Sequence, residues 1–329
     1  QSRRILVGGY SVIDGVALIN TPVAQDVRTP VKENYIPRLL SSQTKRQVGL
    51  VALDKVLRGA DAVREALEAE RSAGCSVIVV DAITLEDVEE IAKACIELRW
   101  NVVSVDPGPF TSKLAYHRGL IGTEEPNVPP EADEAGKTVL IAAGSATPVT
   151  KRQMEVLCED DRHVRISVDP VPLIEGGDAA MDEAFKAVHK AVELLESGSQ
   201  PRAILFETAL HGELLNLDEE DNKRHYAGGM SADRINAGLG TIISQVLEQI
   251  GREKIAGLYT TGGDTMVNVC YQLGVECIEV MDYVIPQTDV GRLVGSYDGL
   301  PVVGKGGLTG NDNTACDIVS RLFRESARQ

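Results

Sequence analysis

Along residues 48–106, short runs of β-branched side chains alternate with longer stretches in which apolar residues recur at every third or fourth position. "VGLVAL" (48–53) precedes "GADAVREALEAERSAG" (59–74), "CSVIVVDA" (75–82) precedes "TLEDVEEIAKACIELRW" (84–100), and "NVVSVD" (101–106) follows. Runs of strand length alternating with periods of helix length predict a parallel sheet with covering helices. The rhythm breaks over 122–136, "GTEEPNVPPEADEAG", where prolines and five acidic side chains leave no apolar period, as in an exposed connection. It then restarts with "KTVLIAAGS" (137–145), "PVTKRQMEVLCED" (148–160), "VRISVD" (164–169), "AAMDEAFKAVHKAVELLES" (179–197), "RAILFET" (202–208) and a long helix from about Ser231. In that helix Ile235, Leu239, Ile242, Ile243, Val246, Leu247 and Ile250 form one stripe, which marks core rather than a ligand site. The polar stretch 211–229 before it reads as a surface excursion. The expected fold is α/β with two domains, each a mainly parallel sheet flanked by helices: 1–121, a linker at 122–136, and 137–329.

At 329 residues the chain is long enough to bury two such cores. Its 49 acidic and 33 basic residues give a net charge of −16 with no basic run, which disfavours nucleic acid and anionic membrane as partners. Six cysteines occur singly, mostly inside apolar stretches, and the five histidines show no metal-ligand spacing. Reduced thiols, no structural metal and a cytoplasmic location are expected. No apolar run reaches membrane-spanning length, and "QSRRILVGGY" lacks both the order of a signal peptide and an initiator methionine, which suggests a chain beginning inside a longer one.

Candidate chemistry gathers where predicted strands end. Asp81 and Asp106 each close a strand, at the edge where open α/β sheets place ligands. Asp81 in "DAITLEDV" reads better as a helix-entry cap; Asp106 in "DPGPFTS" is balanced between cap and catalytic acid. In the second half three loops share one design of strand end, small residues and helix start: "AAGSATPVTKRQ", "TTGGDTMVN" and "VVGKGGLTGNDN". A single glycine-rich turn only bends the chain. Three at one sheet edge could direct backbone N–H groups and the hydroxyls of Ser145, Thr260 and Thr265 at one polyanion, with Lys305 supplying charge. Lys305 reads equally well as a solvated loop residue. Asp264 in "GGDT" fits a magnesium ion accompanying the phosphates, or a carboxylate that shapes the turn. Neither dinucleotide nor P-loop fingerprint is present, which disfavours a dinucleotide oxidoreductase.

These three segments, with "RRILVGGYSVIDGVALINTPVAQDVRTPV" at the start, resemble the four-carbon acid sugar kinases, whose motifs read GS-x-S-x-x-T-x-x-Q, GGDT, K-S-G-x-F-G and T-x-x-A-x-D-P-x-x-P-V in the matching places. The resemblance covers most of the chain. It implies ATP-dependent phosphorylation of a small sugar acid such as erythronate or threonate, with an N-terminal acid-sugar domain and a C-terminal nucleotide domain; Mg2+ is the expected companion of ATP, and a homo-oligomer is compatible with the sequence. Ser145, Gly262, Gly263, Asp264 and Thr265 would contact ATP, and Gly306 and Gly307, beside Lys305, would form a second phosphate-side loop. Val27, Gly306 and Thr309 depart from the pattern, and segments like the family's D-D-x-T-G and D-S-T-x-R-G are not found. The catalytic base is thus unassigned, with Asp106 the candidate, and a chain that binds Mg-ATP with slow or no turnover is expected. The alternative is a nucleotide-binding or regulatory module without catalysis.

Overall fold

The structure is a computed structural model that describes residues 4–25, 30–122, 136–198, 200–212 and 214–327. The chain divides into two compact units, residues 1–127 and 128–329. Most of the expected linker, and the Asp26–Val27 pair, lie outside the described residues.

In the first unit, β1 (Arg4–Val7), β2 (Tyr10–Ile13) and β3 (Val16–Ala17) form an antiparallel meander, followed by α1 (Ile36–Ser41). Then β4 (Val48–Val51), α2 (Leu53–Val56), α3 (Ala60–Ser72), β5 (Val77–Val80), α4 (Leu85–Glu97) and α5 (Pro109–His117) supply the predicted strand and helix alternation, with β4 and β5 parallel. Val63 and Leu67 of α3 and Ile91, Ala94 and Cys95 of α4 close one core over β4. The run 101–106 is not a strand. Val102 packs on this core, whereas Val103 and Val105 are each 91% exposed, because no third strand pairs there among the described residues.

The second unit holds β6 (Thr138–Ala143), α6 (Pro148–Leu157), β7 (His163–Ser167), α7 (Pro170–Glu175), α8 (Gly177–Glu196), β8 (Ala203–Glu207), α9 (Leu217–Arg224), α10 (Met230–Ile250), β9 (Ile255–Thr261), α11 (Gly263–Gln272), β10 (Val275–Ile285), β11 (Thr288–Gly295), β12 (Pro301–Lys305) and α12 (Thr314–Ser326). Its sheet runs β10-β11-β12-β9-β6-β8-β7; the last five strands are parallel, and β10 and β11 extend the edge antiparallel. Strand β10 gives no strict alternation in the sequence because three register shifts interrupt its pairing with β11.

Strand β6 shows how the layers form. Its six residues are all buried, with Leu140 and Ala142 against α7, α8, α10 and α11 on one face and Val139, Ile141 and Ala143 against α6 and α12 on the other. Every position of the predicted α10 stripe is buried. The chain leaves β6 for one face through α6 and leaves β9 for the other through α11, so these neighbouring strands flank a topological switch point, where open α/β sheets carry ligands. No described helix is long and apolar enough to cross a membrane. All six cysteines are unbonded; Cys75 and Cys95 are buried and Cys277 is exposed.

Candidate active site

Strand ends place the three glycine-bearing loops at one edge, and hydrogen bonds tie them together. The hydroxyls of Thr147 and Thr150, at the entry to α6, donate to the Gly307 carbonyl at 2.5 and 3.1 Å. Gln153 one turn later donates to the carbonyls of Thr309 and Asn311 at 3.0 and 2.9 Å. The loop after β12 is thus strapped to the first turns of α6, and the Gly262 N–H donates to the Lys305 carbonyl at 2.9 Å, joining the β9 loop to β12.

Glycine is required here for space and for backbone shape. A Cβ on Gly307 would sit 2.5 Å from Ser145 Oγ, and one on Gly144 would collide with Thr265 Oγ1 and Asn236 Oδ1. Gly262 has φ +105°, which L side chains avoid. Gly263 differs: its φ is ordinary, it is exposed, and a Cβ there would meet nothing within 4 Å. Gly262, rather than Gly263, therefore makes the turn, and Gly263 borders open space at the start of α11. That helix has no side-chain cap, so the positive end of its dipole faces outward with Gly263 and the exposed Asp264 in its first turn.

The expected hydroxyls do not all converge. Ser145 is half-buried and lies 3.2 Å from the Thr150 hydroxyl in the strap between loops. Thr260 is buried with its hydroxyl toward the Val303 carbonyl, and Thr265 is buried with its hydroxyl donated to Asn236 Oδ1 at 2.7 Å, bracing α11 against α10. Strand alternation instead points Thr261 at the strap, 3.3 Å from the Thr150 hydroxyl. Gly306 is exposed beside this cluster.

Lys305 is not a solvated loop residue. It is 3% exposed, and its ammonium donates to the carbonyls of Gly306 and Thr309 at 2.7 and 3.2 Å. Burial pushes its pKa down to about 8. The cation underlies the third loop.

A cavity of about 240 Å³ opens beside Gly144 and Ala146, walled by Asp169 and Pro170 after β7, Thr208 and His211 after β8, and Asn236 of α10. Glu207, the last residue of β8, precedes Thr208 of its wall. This fully buried carboxylate accepts from Ser167 Oγ at 2.5 Å and from the Leu210 N–H at 2.8 Å, and it meets His211 Nδ1 at 3.0 Å. The sequence reading missed Glu207, Asp169 and Asn236. Glu207 closes β8, Asp169 lies just past the end of β7 as the cap of α7, and Asn236 is a polar residue within an apolar helix face; these signals were available.

The strand-end acids of the first unit hold backbone. Asp81 accepts from the N–H groups of Gly8, Gly9 and Leu53 at 2.6, 2.9 and 3.0 Å, clamping the β1–β2 turn to the start of α2. It does not cap α4, a task taken by Thr84 and Asp87 in a capping box. Asp106 accepts from the Gly108 and Phe110 N–H groups, each at 2.8 Å, and from Thr111 Oγ1 at 2.5 Å, so its carboxylate gathers the first turn of α5.

Tied strand-end loops at a switch point, an uncapped helix start, a buried lysine and an adjoining cavity are features that a nucleotide-binding α/β domain of a phosphoryl-transfer enzyme calls for. Family models agree: a nucleotide-binding C-terminal domain matches residues 140–315, and a sugar-binding N-terminal domain matches residues 1–114. The chain is 34% identical over 329 residues to a D-erythronate kinase of Heliobacterium modesticaldum, covering 100% of this chain and 72% of that one. It is 30% identical over 319 residues to a D-threonate kinase of Salmonella typhimurium, covering 96% and 70%. In fold it is similar to a Haemophilus influenzae protein of known crystal structure (TM-score 0.62, 18% identity, covering 97% and 71%) and to a second crystal structure from Salmonella typhimurium LT2 (TM-score 0.70, 15% identity, covering 96% and 70%). The chain belongs to the four-carbon acid sugar kinase family and is an ATP-dependent sugar-acid kinase; the alternative of a module without catalysis is not favoured.

Proposed function

We propose that the chain transfers the γ-phosphoryl group of ATP to a hydroxyl of a four-carbon sugar acid, D-erythronate or D-threonate. The observation that carries the reading is the strapping of the Ser145, Gly262–Thr265 and Lys305–Gly307 loops at one sheet edge in a chain 34% identical throughout to a D-erythronate kinase.

In this reading the phosphates lie against the start of α11, where Gly263 leaves room and backbone N–H groups face outward, with Gly306 and Gly307 on the opposite side. Lys305 adds a positive charge from beneath. Phosphoryl transfer relies mainly on such positioning and charge stabilisation. The nucleoside occupies the neighbouring cavity, where Asp169, Thr208 and Asn236 offer polar contacts. The sugar acid is held by residues of the first unit, which matches the sugar-binding model over 1–114.

Magnesium is part of the proposal. The exposed carboxylate of Asp264, in the first turn of α11, is the side chain proposed to lie beside an ion held chiefly by phosphate oxygens. When bound, it would neutralise charge on the phosphates.

An ADP-release assay coupled to NADH oxidation tests the proposal, using Mg-ATP with D-erythronate and D-threonate. Turnover with either acid is expected. Saturable Mg-ATP binding without turnover on either would refute the substrate assignment.

A further inference from the structure

A buried carboxylate fixes one histidine at the edge of the cavity, and the phosphate loops leave that pair without a task. Glu207 is fully buried, with Ser167 Oγ donating to one oxygen at 2.5 Å and the Leu210 N–H to the other at 2.8 Å. His211 Nδ1 lies 3.0 and 3.1 Å from these two oxygens. A carboxylate only accepts, so Nδ1 carries the proton of the neutral imidazole and Nε2 presents a lone pair. The His211 ring is part-exposed and lines the cavity, which leaves that acceptor available to a ligand.

Sheet order decides which part of a nucleotide reaches it. The ends of β9, β6, β8 and β7 stand side by side, and the cavity follows the last three. At its near end Gly144 and Asn236 adjoin Thr265 of the α11 start. His211 follows β8, two strand spacings or about 10 Å from β9. An ATP with its phosphates at the β9 and β12 loops would set its ribose near Asn236 and its base toward His211, over the apolar Val171, Leu215 and Ile235. An acceptor at that point discriminates between bases. Adenine carries a 6-amino donor, whereas a 6-oxo purine sets lone pair against lone pair.

We infer that the Glu207–His211 pair selects the nucleobase, with His211 Nε2 accepting from the 6-amino group of adenine and Glu207 acting as a positioning residue that fixes the tautomer. The inference rests on the placement of the nucleoside in this cavity.

Calorimetric titration of the full chain with Mg-ATP and with Mg-inosine triphosphate tests it, since the two bases differ only in the 6-amino against 6-oxo group and the adjoining N1 proton. Wild type should bind Mg-ATP at least about tenfold more tightly, the scale of one hydrogen bond exchanged for two opposed acceptors. His211→Ala should bring the two affinities within about twofold of each other. Glu207→Gln should reverse the preference, because its amide donates to Nδ1 and moves the ring proton to Nε2, an outcome that loss of packing alone does not give. Ala232→Phe, which fills the cavity one helical turn before Asn236, should weaken both nucleotides alike by about tenfold or more. Circular dichroism verifies folding, and His211→Ala, at a part-exposed position, decides the matter should Glu207→Gln not fold. An Ala232→Phe variant that binds both nucleotides as wild type does would remove the nucleoside from the cavity and the inference with it. Weakened binding in Ala232→Phe, together with equal affinities in wild type, an unchanged ratio in His211→Ala or a folded Glu207→Gln that keeps the wild-type preference, would overturn the role of the pair while leaving the cavity as the nucleoside site.

Discussion

Replacing Lys305 with Met keeps the side chain's length and removes its charge, and the structure gives this change two effects of opposite sign. Lys305 is 3% exposed, and burial brings its pKa to about 8 from the ordinary lysine value of 10.5. That shift corresponds to about 3 kcal/mol of desolvation opposing the charged form at neutral pH. Met relieves it, while leaving the Gly306 and Thr309 carbonyls without their donor, at about 1 kcal/mol each. The free protein should therefore be more stable by about 1 kcal/mol in urea unfolding. ATP affinity, measured by calorimetric titration, should fall about ten- to a hundred-fold, because a charged hydrogen bond contributes about 1.5–3 kcal/mol. A variant destabilised by more than about 1 kcal/mol that still binds ATP as wild type does would refute the reasoning and make Lys305 a strut of its loop only.

Titration of the same lysine makes ATP binding pH-dependent. Phosphates favour the charged form and raise its pKa above about 8 in the complex, so the bound state holds more protons than the free protein between the two values. Affinity should then fall as pH rises through 8, by up to about tenfold per unit, and Lys305→Met should flatten the profile; a wild-type profile already flat there excludes a charged contact. Gly263→Val should fold normally, since a Cβ at that position meets nothing within 4 Å, and should bind ATP at least about 30-fold more weakly by blocking the phosphate approach. Wild-type affinity in the folded variant would move the site elsewhere. Asp106→Ala should cost about 1 kcal/mol as a lost cap with kcat little changed, whereas a 10²- to 10⁴-fold drop in kcat would identify it as the catalytic base. Asp81→Ala leaves three backbone donors without their acceptor and should destabilise by about 3 kcal/mol; a denaturation midpoint equal to wild type would show that the clamp contributes nothing.

The sequence by itself determined the elements whose signal is local and periodic. The apolar stripe of α10 and the buried runs of β6, β8 and β9 depend on which side chains must leave water, and each was legible from spacing alone. The glycine-rich strand ends were equally legible, because a loop that brings backbone close to another loop or to a ligand has few other residues to use. Only the tertiary structure decided what is set by neighbours distant in the chain. Residues 101–106 have strand composition and no partner strand among the described residues, while β10 pairs with β11 through bulges that erase its alternation. Lys305 could be solvated or buried until β12 took its place beside β9 and the third loop folded over its ammonium. Asp81 read as a helix cap until Gly8, Gly9 and Leu53, up to 73 residues away, presented their N–H groups to it. Periodicity records the partition between core and water, which each segment carries in its own residues; the partner of a buried charge or an unpaired strand edge is chosen by packing, which no single segment contains.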